Sequence, residues 1–196
     1  MDASTSLTGG FADPVFAAQS VFRAVMDCMA RPGTIGTIGS EATAPGALGA
    51  AQAAIALTLC DADTPVWFAD TLASPALSAW LAFHTGASVA PDPTTAKFAF
   101  LGLGGVPHPD FPIGTQDYPD RSATVVIEVS GFEAGEPFTL SGPGIAGTQP
   151  LSVAGLFPDF RTFWQANRAE FPRGIDLILT AGTRLVALPR SVRILD

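Results

Sequence analysis

Charge is scarce in this chain, and reactive side chains are scarcer: 14% of its 196 residues are Asp, Glu, Lys or Arg, with two histidines, two cysteines, one tyrosine and one lysine. Each shortage removes a class of function. Cys28 and Cys60 match no metal-ligand spacing and form no CxxC pair, so they read as buried free thiols. His84 and His108 are isolated from each other and make a poor metal shell, and they leave few ways to activate a nucleophile. His84 falls near the end of a predicted helix, where a cation suits the negative end of the dipole, whereas His108 sits between Pro107 and Pro109 in a loop. Lys97, the only possible Schiff-base amine, opens an apolar strand and reads as structural; no pyridoxal phosphate or other cofactor is expected. No Walker A sequence occurs. Gly102-Leu-Gly104-Gly105 follows a predicted strand, but Pro107 occupies the third glycine position of a dinucleotide fingerprint and Pro109 and Pro112 prevent an immediate helix.

A membrane span is also missing. The uncharged stretch 42–60 approaches the roughly 20 residues that a spanning helix needs. It is mostly alanine, however, and contains Pro45, Gly46, Gly49 and Gln52, which suits a core helix better. Residues 1–14 show neither the basic nor the apolar region of a signal peptide, so a cytoplasmic protein without a membrane partner is expected.

What the chain has is apolar side chains, 47% of the total, at a length suited to a single domain over 1–196. Its net charge of -8 is unevenly placed. Residues 1–120 carry three basic side chains (Arg23, Arg31, Lys97) against eleven acidic ones, while 121–196 hold seven arginines and seven acids. The acidic part repels polyanions, which argues against nucleic acid as a partner. Any anion site is expected among Arg121, Arg161, Arg168, Arg173, Arg184, Arg190 and Arg193; the alternative is that these are solvated or pair with nearby acids.

Periodicity and punctuation predict mixed structure. Asp13-Pro14 starts a helix to about residue 30, with Phe16, Phe22, Val25, Met26 and Met29 at helical spacing, and Arg31-Pro32-Gly33 ends it. A strand over 34–38, a helix over 45–60 and a strand over 65–69 follow. Ser74-Pro75 then starts a helix to about Thr85, which Gly86 caps. Strands are expected at 97–101, 124–129, 137–141 and 151–153, a helix at 158–171, and a hairpin at 175–180 and 184–188 around Ala181-Gly182. The fold class is therefore α/β, a mixed sheet flanked by helices in three layers. Residues 102–118 form a loop long enough to suggest function or mobility.

The densest polar cluster is Asp117-Tyr118-Pro119-Asp120-Arg121-Ser122, directly before an apolar strand. Tyr118, Asp120, Arg121 and Ser122 are candidates for ligand or interface contact; alternatively Asp120 or Ser122 caps a turn and Arg121 pairs with a local acid. Ser141-Gly142-Pro143-Gly144 joins two strands and could present backbone amides, so Gly142 and Gly144 are candidates, with tight-turn chemistry as the alternative. Arg168 completes the candidates. No catalytic residue and no metal ligand is assigned.

Read with its neighbours, this cluster resembles the PhnH family. The segments that carry the resemblance are Gly10-Phe-Ala-Asp-Pro14, Phe22-Arg-Ala-Val25, Ala30-Arg-Pro-Gly33, Asp63-Thr-Pro-Val-Trp67 and Tyr118-Pro-Asp-Arg-Ser-Ala-Thr124, followed by Leu140-Ser-Gly-Pro-Gly-Ile145, Asn167-Arg168, Phe171-Pro-Arg-Gly-Ile-Asp176 and Ala187-Leu-Pro-Arg190. They keep the family's order over nearly the whole chain and thin out in 1–9 and 91–114. The resemblance implies a fold similar to the large domain of pyridoxal-phosphate-dependent transferases without the cofactor. It also implies a homodimer when isolated, and other carbon-phosphorus lyase subunits as partners in phosphonate catabolism. With those partners such a subunit supports displacement of adenine from ATP by a phosphonate, giving a ribose 1-alkylphosphonate 5-triphosphate. The competing reading is a stand-alone small-molecule enzyme with an arginine-lined phosphate or phosphonate cleft.

Overall fold

A computed structural model describes residues 8–38 and 42–195, so part of the N-terminal segment over 1–14 lies outside the described residues. Helix α1 (Pro14–Ala30) begins as its sequence requires: the Asp13 side chain accepts from the Phe16 N–H at 3.4 Å, and Pro14 occupies the first turn, where no intrahelical donor is lost. The same device starts α3 (Pro75–Thr85), where Ser74 Oγ accepts from the Leu77 N–H at 3.1 Å and Gly86 closes the helix at φ 75°. Between them α2 (Ala50–Leu59) is shorter than the expected 45–60. Gly46 at φ 79° lies in a turn, so the helix starts only after Gly49.

The strands are β1 (Gly36–Thr37), β2 (Val66–Phe68), β3 (Phe98–Leu101), β4 (Thr124–Glu128), β5 (Gly131–Ser141), β6 (Gln149–Ala154), β7 (Asp176–Ala181), β8 (Arg184–Leu188) and β9 (Arg193–Leu195). Helix α4 (Phe160–Ala169) precedes β7. Six strands form one mixed sheet in the order β1-β8-β7-β4-β3-β2, with β2, β3, β4 and β7 parallel and β8 returning antiparallel through the expected hairpin. The remaining three form an antiparallel sheet ordered β6-β5-β9. Only two residues of the expected strand 34–38 pair, β5 is much longer than 137–141, and β9 has no counterpart in the sequence-based expectation.

Alternation along the parallel strands divides the interior into two cores. Phe100, Val126 and Ile178 face α1, α2 and α3, whereas Leu101, Val125, Ile127, Leu177 and Leu179 face the small sheet and α4. Each fully buried Leu, Ile or Phe contributes about 1.5–3 kcal/mol relative to exposure. Helices, sheet, and small sheet with α4 make the three layers. On α4, Phe160 and Trp164, four residues apart, are buried on one face, and the Trp164 indole donates to the Val192 carbonyl at 3.1 Å. The residues that mark α1 by their spacing do not all share one face. Val21, Val25 and Cys28 point into the core, while Phe16, Phe22 and Met26 are exposed. None of the described helices is long and apolar enough to cross a membrane.

Candidate functional site

The polar run before β4 folds as a 3-10 turn, Pro119–Arg121, at the entrance of the central strand. Its anchor is Arg190, which follows β8 in the chain. The Arg190 guanidinium grips both carboxylate oxygens of Asp176, the first residue of β7, and also donates to the Pro119 carbonyl and the Ser122 hydroxyl. The Arg190 backbone N–H adds a bond to Asp176 Oδ1 at 2.7 Å. The Ser122 hydroxyl is thus engaged within the fold. Arg121 points the other way: it is exposed, and its guanidinium lies 4.1 Å from the centroid of the Tyr118 ring. Neither Asp117 nor Asp120 forms an ion pair with it among the described residues, so the local pairing considered for Arg121 is not formed. Asp120 is exposed beside it, and Tyr118 is 52% exposed.

The glycine candidates answer to turn geometry. Gly144 has φ 82°, and a Cβ there would come within 2.0 Å of the Ala30 carbonyl oxygen at the end of α1. Gly142, at φ 143°, passes close to Ser191 and Val192. The 141–144 loop therefore packs onto the chain around it.

Arg168 belongs to a third place. It stands on the last turn of α4, with its guanidinium 4.5 Å from the centre of the Phe171 ring, and its buried Nε has no hydrogen-bond partner. It faces β9 across an open groove of about 390 Å3, whose walls include Trp164, Ile194 and a second arginine, Arg193. Among the described residues neither guanidinium has an ion pair. The other arginines of 121–196 do, except Arg121: Arg161 with Glu136, Arg173 with Glu170, Arg184 with Glu133 and Arg190 with Asp176. The structure thus separates the candidates into an entrance turn, a packed loop and an arginine-lined groove.

A further polar site escaped the sequence reading. Glu128 ends β4, at the carboxyl edge of the parallel strands where ligands of open α/β sheets usually sit. Burial pushes its carboxyl above the ordinary value, opposed by hydrogen bonds from the Thr180 hydroxyl and the Gly182 N–H. Gly49, the N-cap of α2, lies so close that a Cβ would approach Glu128 Oε2 to 2.9 Å. One turn on, the fully buried Gln52 donates to the Leu101 carbonyl at 2.8 Å and the Val126 carbonyl at 3.4 Å. The only sequence signal was a carboxylate closing the apolar run Thr124-Val-Val-Ile-Glu128.

The scarce reactive groups serve packing. Cys28 and Cys60 are free and buried, and burial pushes the Cys60 thiol up to about 12. Lys97 donates to the Asp63 carbonyl at 2.7 Å, and His108 packs against Phe111 and Trp67. Among the described residues no cluster of His, Cys, Asp and Glu has a metal-binding arrangement.

Comparison with known proteins gives a concordant result. The family described as "Bacterial phosphonate metabolism protein (PhnH)" matches residues 9–195. The alpha-D-ribose 1-methylphosphonate 5-triphosphate synthase subunit PhnH of Rhizobium meliloti (strain 1021) is 51% identical over 189 residues, covering 95% of this chain and 94% of its own length. A putative C-P lyase subunit protein, HtxG, of Stutzerimonas stutzeri is 41% identical over 85 residues, 42% of each chain.

Proposed function

The chain belongs to the PhnH family of bacterial phosphonate metabolism proteins, and on that premise we propose that it is a subunit of an alpha-D-ribose 1-methylphosphonate 5-triphosphate synthase, assembled with other carbon-phosphorus lyase subunits. The observation that carries this reading is the 51% identity along nearly the full length of both chains. In the reaction a phosphonate oxygen attacks ribose C1′ of ATP, the bond to adenine breaks, and adenine leaves with the electron pair and takes up a proton. The chain's part is to support that displacement within the complex. This fits the use of its polar groups: Arg190, Asp176, Ser122, Thr180, Gln52 and Glu128 bind one another or the backbone.

The same reading makes 1–196 a single domain, kin to the large domain of pyridoxal-phosphate transferases, working in the cytoplasm without that cofactor. Lys97, held to the Asp63 carbonyl, is an unsuitable aldimine amine. Borohydride labelling of Lys97 after incubation with pyridoxal phosphate would contradict the cofactor-free reading.

Reconstitution tests the function. Co-expressed with its neighbouring subunits, the chain should co-purify with them, and adenine release from ATP plus methylphosphonate should require it. Adenine release by the purified chain alone would replace this reading with that of a stand-alone enzyme, the alternative favoured by the arginine-lined groove.

A further inference from the structure

We infer that the groove between α4 and β9 is a binding site for a small organic phosphate or phosphonate, held between Arg168 and Arg193. Charge is the first argument. In a chain of net charge -8, most arginines of 121–196 are neutralised by an adjacent carboxylate, and two of the three that have no such partner among the described residues line one groove. A pair of guanidiniums without an ion pair among the described residues attracts an anion, and each can offer two parallel N–H donors to phosphoryl oxygens.

Preorganisation is the second argument. Arg168 is stacked on Phe171, and its Nε is covered yet unbonded, so the guanidinium is held in place although no group among the described residues accepts from that Nε. Arg193 comes from β9, a strand fixed by pairing with β5, so the two charges are carried by separate regular elements. Helix-dipole compensation accounts for a cation on the last turn of α4, but it leaves Arg193 unexplained.

Shape selects the ligand class. A volume of about 390 Å3 falls in the range of small-molecule sites, and the Trp164, Ile194 and Leu195 walls give an organic group apolar surface beside the charges. Inorganic phosphate would use only the arginines. The choice between a nucleotide and an alkylphosphonate rests on the family reading above, whereas the anion site itself does not.

Calorimetric titration of the full chain with ATP, methylphosphonate and inorganic phosphate separates the sources. One saturable site per chain is expected for at least one of the two organic ligands, with inorganic phosphate weaker. Arg168→Ala and Arg193→Ala should each weaken it about tenfold or more, the effect of losing a hydrogen bond to a charged group. Arg173→Ala removes the same charge outside the groove and should leave binding unchanged. Arg193 is exposed on a short edge strand, so its variant stays informative even if Arg168→Ala fails to fold. Absence of binding, or equal loss in all three variants, overturns the site. Co-purification with partner subunits is measured on the same proteins. If the groove variants lose assembly while the parent chain binds none of the three anions, the groove takes an acidic segment of a partner instead and the inference fails, although the subunit assignment stands.

Discussion

Arg190 and Asp176 form a two-pronged ion pair at the entrance of the parallel sheet, with side chains only 14% and 15% exposed. Removing one partner strands the other in a poorly hydrated place. Arg190→Ala should therefore destabilise the fold by about 3 kcal/mol, and it also abandons the Pro119 carbonyl and the Ser122 hydroxyl. Urea denaturation at constant slope measures this. A loss below about 1 kcal/mol would show that the pair is a surface contact.

Glu128 gives stability a pH dependence whose sign follows from its burial. Burial raises its carboxyl above the ordinary 4.5, so the folded chain holds a proton that the unfolded chain has already released. Stability conferred by this group therefore falls as pH rises from 4.5 through the folded-state value. Glu128→Gln removes the titration while keeping an acceptor for the Gly182 N–H. The variant should gain stability relative to the parent between pH 4 and pH 7. Parallel pH profiles for the two proteins would contradict this.

These two residues also show where sequence reasoning ends. Local signals were legible: Asp13-Pro14 and Ser74-Pro75 are capped helix starts, and the turn expected at Ala181-Gly182 falls one residue later, at Gly182-Thr183, because Ala181 still pairs with Arg184. Contacts between distant segments were not. Nothing near Glu128 announces Thr180, and nothing near Ser122 announces Arg190. β9 is three residues long and owes its existence to pairing with β5. On α1, Phe16 and Met26 fit a helical period as well as Val21 and Val25 do, and only the position of the sheet decides which face is covered. Arg168 was a candidate by composition, but its meeting with Arg193 required the fold.

Arg121 now carries a sharper expectation than its sequence context allowed. Exposed, and stacked on Tyr118 without a carboxylate partner among the described residues, it contributes little to folding; a cation-π contact at such a site is worth about 0.5–1 kcal/mol. If the entrance turn contacts a phosphate group or an acidic partner, Arg121→Ala should weaken that interaction by about 1.5–3 kcal/mol. Melting temperature and complex formation, measured on the same variant, distinguish the roles. A large drop in melting temperature with assembly intact would leave the cluster as a structural turn.

The outer face of α1 makes the strongest case for self-association. Val15, Phe22 and Met26 recur at helical spacing beside the buried stripe of Val21, Val25 and Cys28, and they are 75%, 48% and 51% exposed. Apolar surface in water costs about 25 cal/mol per Å2, so a contiguous stripe of this kind favours being covered. The isolated chain should therefore form a dimer through α1, detectable by light scattering as a mass that falls toward the monomer on dilution. Phe22→Ser with Met26→Ser should shift that equilibrium to monomer while leaving the melting temperature of the dilute protein nearly unchanged, because neither side chain enters the core. In the complex the same variant separates two uses of the face. Loss of the dimer alone, with other subunits still bound, assigns α1 to self-association. Loss of those subunits from a chain that still dimerises would instead assign the stripe to the heteromeric interface and refute the dimer assignment.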